Sequence, residues 1–202
     1  VLQRFHLVLQ LFGLGAQLLA EVTGGRGVDV VLDVIGASYW DQNMKSLANK
    51  GRMVIVGLMG GSNGGLMVGN MITLYPELFG AAVCQVPLLD MRRYHQLLAG
   101  ASWMGEYGDP DLPEEWAFIQ TYSPYHLAKV AADYPPVLFT TSTRDDRVHP
   151  GHARKMTALL MDQSHDVLYY ENIEGGHGGA ANNQQQAYMS ALAYSFLWQK
   201  LK

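Results

Sequence analysis

Alternating strand-like and helix-like segments predict an α/β fold, a mostly parallel sheet of about five or six strands with helices on both faces. Two observations carry this. Short apolar, β-branched runs recur at residues 28–35, 52–58, 81–86, 136–142 and 166–170, most of them with a helical pattern between one run and the next. The loops leaving three of these runs hold reactive residue types, and parallel sheets place their sites at strand carboxyl ends. The 202 residues, 49% of them hydrophobic, suffice for one domain with a sizeable core.

In chain order, residues 4–11 set Phe5, Leu7, Leu9 and Leu11 at period two, while Phe5, Val8, Leu9 and Phe12 fit a helix. That segment stays open between strand and helix. Gly15 to Val22 reads as helix, ended by the glycines of residues 23–27. Val28 to Ile35 is a largely apolar strand, Trp40 to Asn49 an amphipathic helix, and Arg52 to Leu58 a buried strand. A helical pattern through Met71, Ile72 and Leu74 stops before Pro76. Residues 81–86 form a strand, and residues 87–134, rich in Trp and Tyr, are partly loop. Strand 136–142, helix His152–Met161, strand Asp166–Tyr170 and helix Gln184–Leu201 complete the chain.

A net charge of −4 argues against nucleic acid or an anionic membrane as main partner, and no apolar run is long enough to span a bilayer. Arg4 and the apolar stretch after it are interrupted by Gln10 and Gln17 without a clear cleavage site, so a secretory leader is not expected. The single cysteine, Cys84, lies in an apolar run and reads as a buried thiol in a cytoplasmic, reducing compartment. His149 and His152 at i, i+3 have no third ligand placed nearby, so they read as a solvent-facing helix start with no metal.

Gly60-Gly61-Ser62-Asn63-Gly64 fits G-x-S-x-G, the nucleophile elbow, placed between a strand and a helix. The reversal crowds the backbone around the serine, so its neighbours must be minimal. The helix that follows aims its first N–H groups at the position where an oxyanion forms. A dinucleotide loop fails here, because Ser62 and Asn63 fall where glycines are needed and no Walker lysine follows. No cofactor is called for. Ser62 needs a base, and His177 sits on the glycine-rich loop 174–179. Asp145 or Asp146 supplies the acid that holds the imidazole tautomer, with the other aspartate left to the turn before residue 150. The order Ser, Asp, His is the one an elbow of this type implies.

From Gly60 onward the chain resembles the catalytic domain of the prolyl oligopeptidase family of serine peptidases. The resemblance rests on residues 60–65, Cys84-Gln-Val-Pro-Leu-Leu-Asp90, Trp103-Met-Gly-Glu-Tyr-Gly-Asp109, Tyr122-Ser-Pro-Tyr125, Asp145-Asp-Arg-Val148 and Glu174-Gly-Gly-His177. It implies a truncated α/β-hydrolase-like fold with Ser62, Asp145 and His177 as triad and Asn63 as a backbone oxyanion donor. It further implies that Trp103 and Tyr107 line a proline pocket and that Arg147 binds a substrate carbonyl. A small peptide or ester is the implied substrate.

Residues 20–60 look instead like the nucleotide-binding domain of zinc-free quinone oxidoreductases, which suggests a chimera joined at residues 58–61. The family's second oxyanion donor, a tyrosine upstream of the elbow, has no match in residues 1–59; Tyr39 lies in another context. The expectation is therefore a serine hydrolase of weak or absent activity, without the family's propeller. The alternatives are an inert α/β scaffold and a fragment of an NADPH-dependent reductase. If residues 4–11 do not pair with residues 28–34, that run becomes an apolar sheet edge able to support a homo-oligomer.

Overall fold

The structure, a computed structural model, describes the backbone of residues 7–9, 24–26, 28–33, 47–55 and 62–201, and the side chains of residues 24–26 and 64–201. Six strands are described: β1 (Leu7–Leu9), β2 (Val28–Asp33), β3 (Leu47–Ile55), β4 (Ala82–Gln85), β5 (Val137–Ser142) and β6 (Val167–Asn172). All their pairings are parallel. Hydrogen bonding divides them into two sheets of three, ordered β1-β2-β3 and β4-β5-β6, rather than one sheet of five or six. A run's periodicity records that it is buried; it does not record which strand lies beside it.

Residues 4–11, open between two types, contribute strand β1, with Leu7 opposite Val30 and Leu9 opposite Leu32. Strand β2 therefore lies between β1 and β3, and the exposed edge expected at residues 28–34 does not arise. The association proposed through it loses its premise. The described part of the helix expected over residues 40–49 is also corrected: Leu47 to Lys50 are extended and belong to β3. Pairing with β2 overrides the helical pattern, helped by Gly51, and the ladder shifts register between Val28 and Val30 to accommodate it. The helix read at residues 15–22, residues 40–46, and residues 56–61 with the first two glycines of the elbow turn lie outside the described residues.

The second sheet is sandwiched as its sequence implies. Helix α1 (Ser62–Leu74) and the long helix Gly151–Asp162 cover one face, and the closing helix Asn183–Lys200 covers the other. Alternate side chains of β4 and β5 make both contacts. Ala82, Cys84, Val137 and Phe139 pack with Val68, Ile72, Met156 and Leu160, while Val83 and Leu138 pack with Ala193, Phe196 and Leu197. Every residue of β5 is buried, as a central parallel strand requires. Cys84 is fully buried, and burial pushes its thiol well above the ordinary range, which removes it as a nucleophile. Glycines let α1 come close: a Cβ on Gly65 would lie 2.5 Å from the Cα of Pro87, and one on Gly69 would meet Leu89 and Pro124.

Between β4 and β5, short helices α2 (Met104–Tyr107), α3 (Pro113–Ile119) and α4 (Pro124–Leu127) build a separate cluster. Leu66, Leu88, Met91, Tyr94, Ile119 and Val148 form its buried centre. With these three named, the helices Gly151–Asp162 and Asn183–Lys200 become α5 and α6. No described helix is long and apolar enough to cross a membrane.

Candidate active site

The loop after β5 folds around one carboxylate. Asp145 is 4% exposed, and its Oδ1 accepts hydrogen bonds from the backbone N–H groups of Arg147 and Val148, both at 2.9 Å. The same carboxylate faces His177, whose Nδ1 stands 3.0 Å from each oxygen. One aspartate thus makes the turn and meets the histidine, so the expected division of labour between Asp145 and Asp146 is corrected; Asp146 is exposed. Short range decides this: the turn that caps Arg147 and Val148 already fixes the carboxylate where the histidine loop arrives.

The histidine loop leaves β6. Asn172, the last residue of that strand, accepts from the N–H groups of Glu174 (2.9 Å) and Gly175 (3.2 Å) through Oδ1. Gly179, in the left-handed region at φ +82°, closes the turn by donating to the carbonyl of Gly176. A Cβ on Gly175 would lie 2.5 Å from the carbonyl oxygen of Gly179, so this tight fold requires glycine there.

Ser62 is the first residue of α1, where the helix presents its unsatisfied N–H groups, and Asn63 follows it. Their side chains lie outside the described set. Leu66, one turn further on, packs in the same cluster as Val148, which adjoins the Asp145 loop. Trp103 and Tyr107 lie against that cluster, half-buried, with Tyr107 edge-on to Tyr94 at 5.6 Å between ring centroids. The cluster therefore gathers the start of α1, the acid loop and the aromatic pair. Arg147 is exposed, held by its backbone rather than placed by its side chain.

Two other sequence segments meet beneath this cluster. Asp90, fully buried after β4, receives Lys155, Arg93 at 3.2 Å and the His126 ring at 3.9 Å. Burial raises its carboxyl pKa, but Lys155, His126 and Arg93 together outweigh that and hold it below the usual range. Met91 N–H donates to Ser123 Oγ at 3.1 Å and Tyr125 N–H to the carbonyl of Leu89 at 3.1 Å, tying residues 84–91 to residues 122–126. His152 is corrected from a solvent-facing position: it is 1% exposed, and its Nδ1 accepts from the N–H of Asp90 at 3.1 Å. Its first-turn location in α5 is legible in the sequence; that the turn faces inward is not. Burial lowers its pKa to about 4. His149, half-buried, accepts from Gly151 N–H at 2.9 Å, so Nδ1 of each ring takes a backbone donor.

Sequence reasoning missed Asn172 and the Asp90–His152 pair. Asn two residues before the Glu-Gly-Gly turn is the signal of an Asx turn, and it was available.

Comparison with known proteins follows the same lines. The model of the "Prolyl oligopeptidase family" matches residues 13–202. Its match runs through residues 13–59 and across residues 58–61, so the comparisons give the proposed junction and the reductase segment no support. The "Uncharacterized peptidase y4nA" of Sinorhizobium fredii is 54% identical over 146 residues, covering 72% of this chain and 20% of that protein. The "Prolyl endopeptidase" of Elizabethkingia miricola is 38% identical over 143 residues, 69% of this chain and 20% of its own length. Among solved structures, a post-proline cleaving enzyme from Rickettsia typhi superposes with a TM-score of 0.66 at 36% identity, over 79% of this chain and 22% of that one. Prolyl oligopeptidase B from Galerina marginata, bound to a 35mer substrate, does so with a TM-score of 0.71 at 30% identity, over 82% and 23%. The chain spans about a fifth of the length of the relatives it matches. The match of the family model over residues 13–202, together with these superpositions, places the chain in the prolyl oligopeptidase family of serine peptidases.

Proposed function

We propose that this chain carries the triad of a serine peptidase that cleaves peptides after proline, with Ser62 as nucleophile, His177 as base and Asp145 as the acid that orients it. The observation behind this reading is the contact of His177 Nδ1 with both oxygens of Asp145. With Nδ1 donating to the carboxylate, the neutral ring keeps Nε2 free to accept the Ser62 proton. Ser62 Oγ attacks the carbonyl carbon, and the oxyanion that forms takes a hydrogen bond from the Asn63 N–H at the start of α1. His177 then returns its proton to the leaving amine, and water repeats the sequence on the acyl-enzyme. Asp145 stays ionised throughout, stabilising the imidazolium.

Trp103 and Tyr107 are the surfaces for the proline ring, which is flat and apolar and buries well on an aromatic face. Arg147, exposed beside the acid, is free to reach a substrate carbonyl. The test is labelling by a fluorophosphonate probe in the parent, Ser62→Ala and His177→Ala proteins. Labelling of the parent alone supports the reading; no labelling of folded parent protein rejects it in favour of an inert α/β scaffold.

A further inference from the structure

The two loops that hold His177 and Asp145 are joined by more than the ring–carboxylate contact. Asn172 and Ser142 are the last residues of β6 and β5 and stand opposite each other in the ladder. Both are buried. Asn172 uses both polar groups of its side chain and its carbonyl. Its Oδ1 holds the N–H groups of Glu174 and Gly175, and its Nδ2 donates to Gln185 Oε1 at 2.9 Å. Its carbonyl accepts from Thr143 N–H at 2.8 Å and lies 3.0 Å from Ser142 Oγ, which also reaches the carbonyl of Gly175. A hydroxyl has one proton, so Ser142 serves these two carbonyls in turn. From the far side, Gln185 in α6 accepts from Ala181 N–H at 2.8 Å and donates to Glu174 at 2.6 Å.

We propose that Asn172 is a positioning residue for His177: its side chain clamps the glycine-rich loop between the end of β5 and helix α6, so that the ring meets Asp145. The physical need is plain. Residues 175, 176, 178 and 179 are all glycine, which loses the most conformational freedom when ordered. Among the described residues, the His177 side chain is attached to Asp145. A loop so free requires a fixed point at each end. Asn172 supplies the first through its Asx turn, and Gln185 braces the second.

This inference rests on reading His177 as the base, and two measurements keep the two claims apart. The rate of fluorophosphonate labelling reports the whole site. The downfield proton resonance of His177 Nδ1–H, assigned by its loss in Asp145→Ala, reports the His177–Asp145 contact alone. Asn172→Ala is expected to slow labelling about tenfold or more and to broaden that resonance away. Asn172→Asp keeps acceptors for Glu174 and Gly175 and is expected to bring both readouts most of the way back. A parent protein that never labels would reject the triad and leave the resonance to decide this proposal. Asn172→Ala with the parent's resonance and labelling rate, or Ala and Asp variants that lose equally, overturns it. If Asn172→Ala does not fold by circular dichroism, Gln185→Leu tests the clamp from the helix side. A loss of about threefold or more supports it, and none overturns it.

Discussion

Asp145 and Asp90 are both buried aspartates beside a histidine, and they are held in opposite ways. Asp90 sits among cations: Lys155, Arg93 and His126 converge on it, and its charge is spent there. Asp145 is held by neutral donors, two backbone N–H groups and one imidazole. A carboxylate satisfied by neutral donors keeps its charge available to a histidine that becomes positive during a reaction. One neutralised by lysine and arginine has none to offer. The first arrangement suits chemistry, the second suits holding two segments together.

The contrast is sharpest in Asp145→Asn. The amide still offers Oδ1 to Arg147 and Val148, so the loop and the melting temperature should persist. The wrong tautomer of His177 should lower the labelling rate by about 10⁴. A large fall in melting temperature instead would mean that Asp145 is chiefly structural. The Asp90 side should respond to acid. His152 is neutral when folded, with a pKa near 4, and about 6.5 when unfolded, so only the unfolded chain binds its proton between those values. Stability is then complete above pH 6.5 and falls by roughly 3 kcal/mol as pH drops to 4. Depressed Asp90 adds a further loss below its ordinary pKa. Urea unfolding from pH 7 to 4 checks the sign, and His152→Gln should flatten the curve.

Asp90→Ala should cost about 2 kcal/mol, less than a fully buried pair because Lys155 and Arg93 are partly exposed and can turn to water. Its labelling rate per folded molecule should stay near the parent's; a rate lost together with stability would erase the distinction between the two sites. The smallest effect concerns the aromatic pair. Trp103→Ala should raise KM for a proline peptide about tenfold with kcat nearly unchanged, while a small ester lacking proline shows no such rise.

Much of this was legible in the residues. The runs at 81–86 and 136–142 announced buried strands, and Asp145 and His177 were expected on loops after strands, where the structure has them, while Ser62 opens α1. Residues 84–90 and 122–125 looked notable one by one, yet nothing local said that Asp90 would meet His126. The histidine pair at 149 and 152 carried the same ambiguity. Spacing gave one helical turn, and only packing decided that His152 points inward to the N–H of Asp90. Asn172 was overlooked because an Asx turn is common and says nothing of what the turn carries.

The sequence by itself determined the strands near residues 82–85, 137–142 and 167–172, the helices near 151–162 and 183–200, and where glycine permits a tight reversal, because these follow from short-range sterics and from burial with a fixed period. Tertiary structure decided the rest: that six parallel strands divide into two ladders, that residues 47–50 join β3, and that one aspartate serves both a turn and His177. Hydrogen bonds between residues distant in sequence are chosen by competition among many possible partners. That competition is settled only when the whole chain is packed.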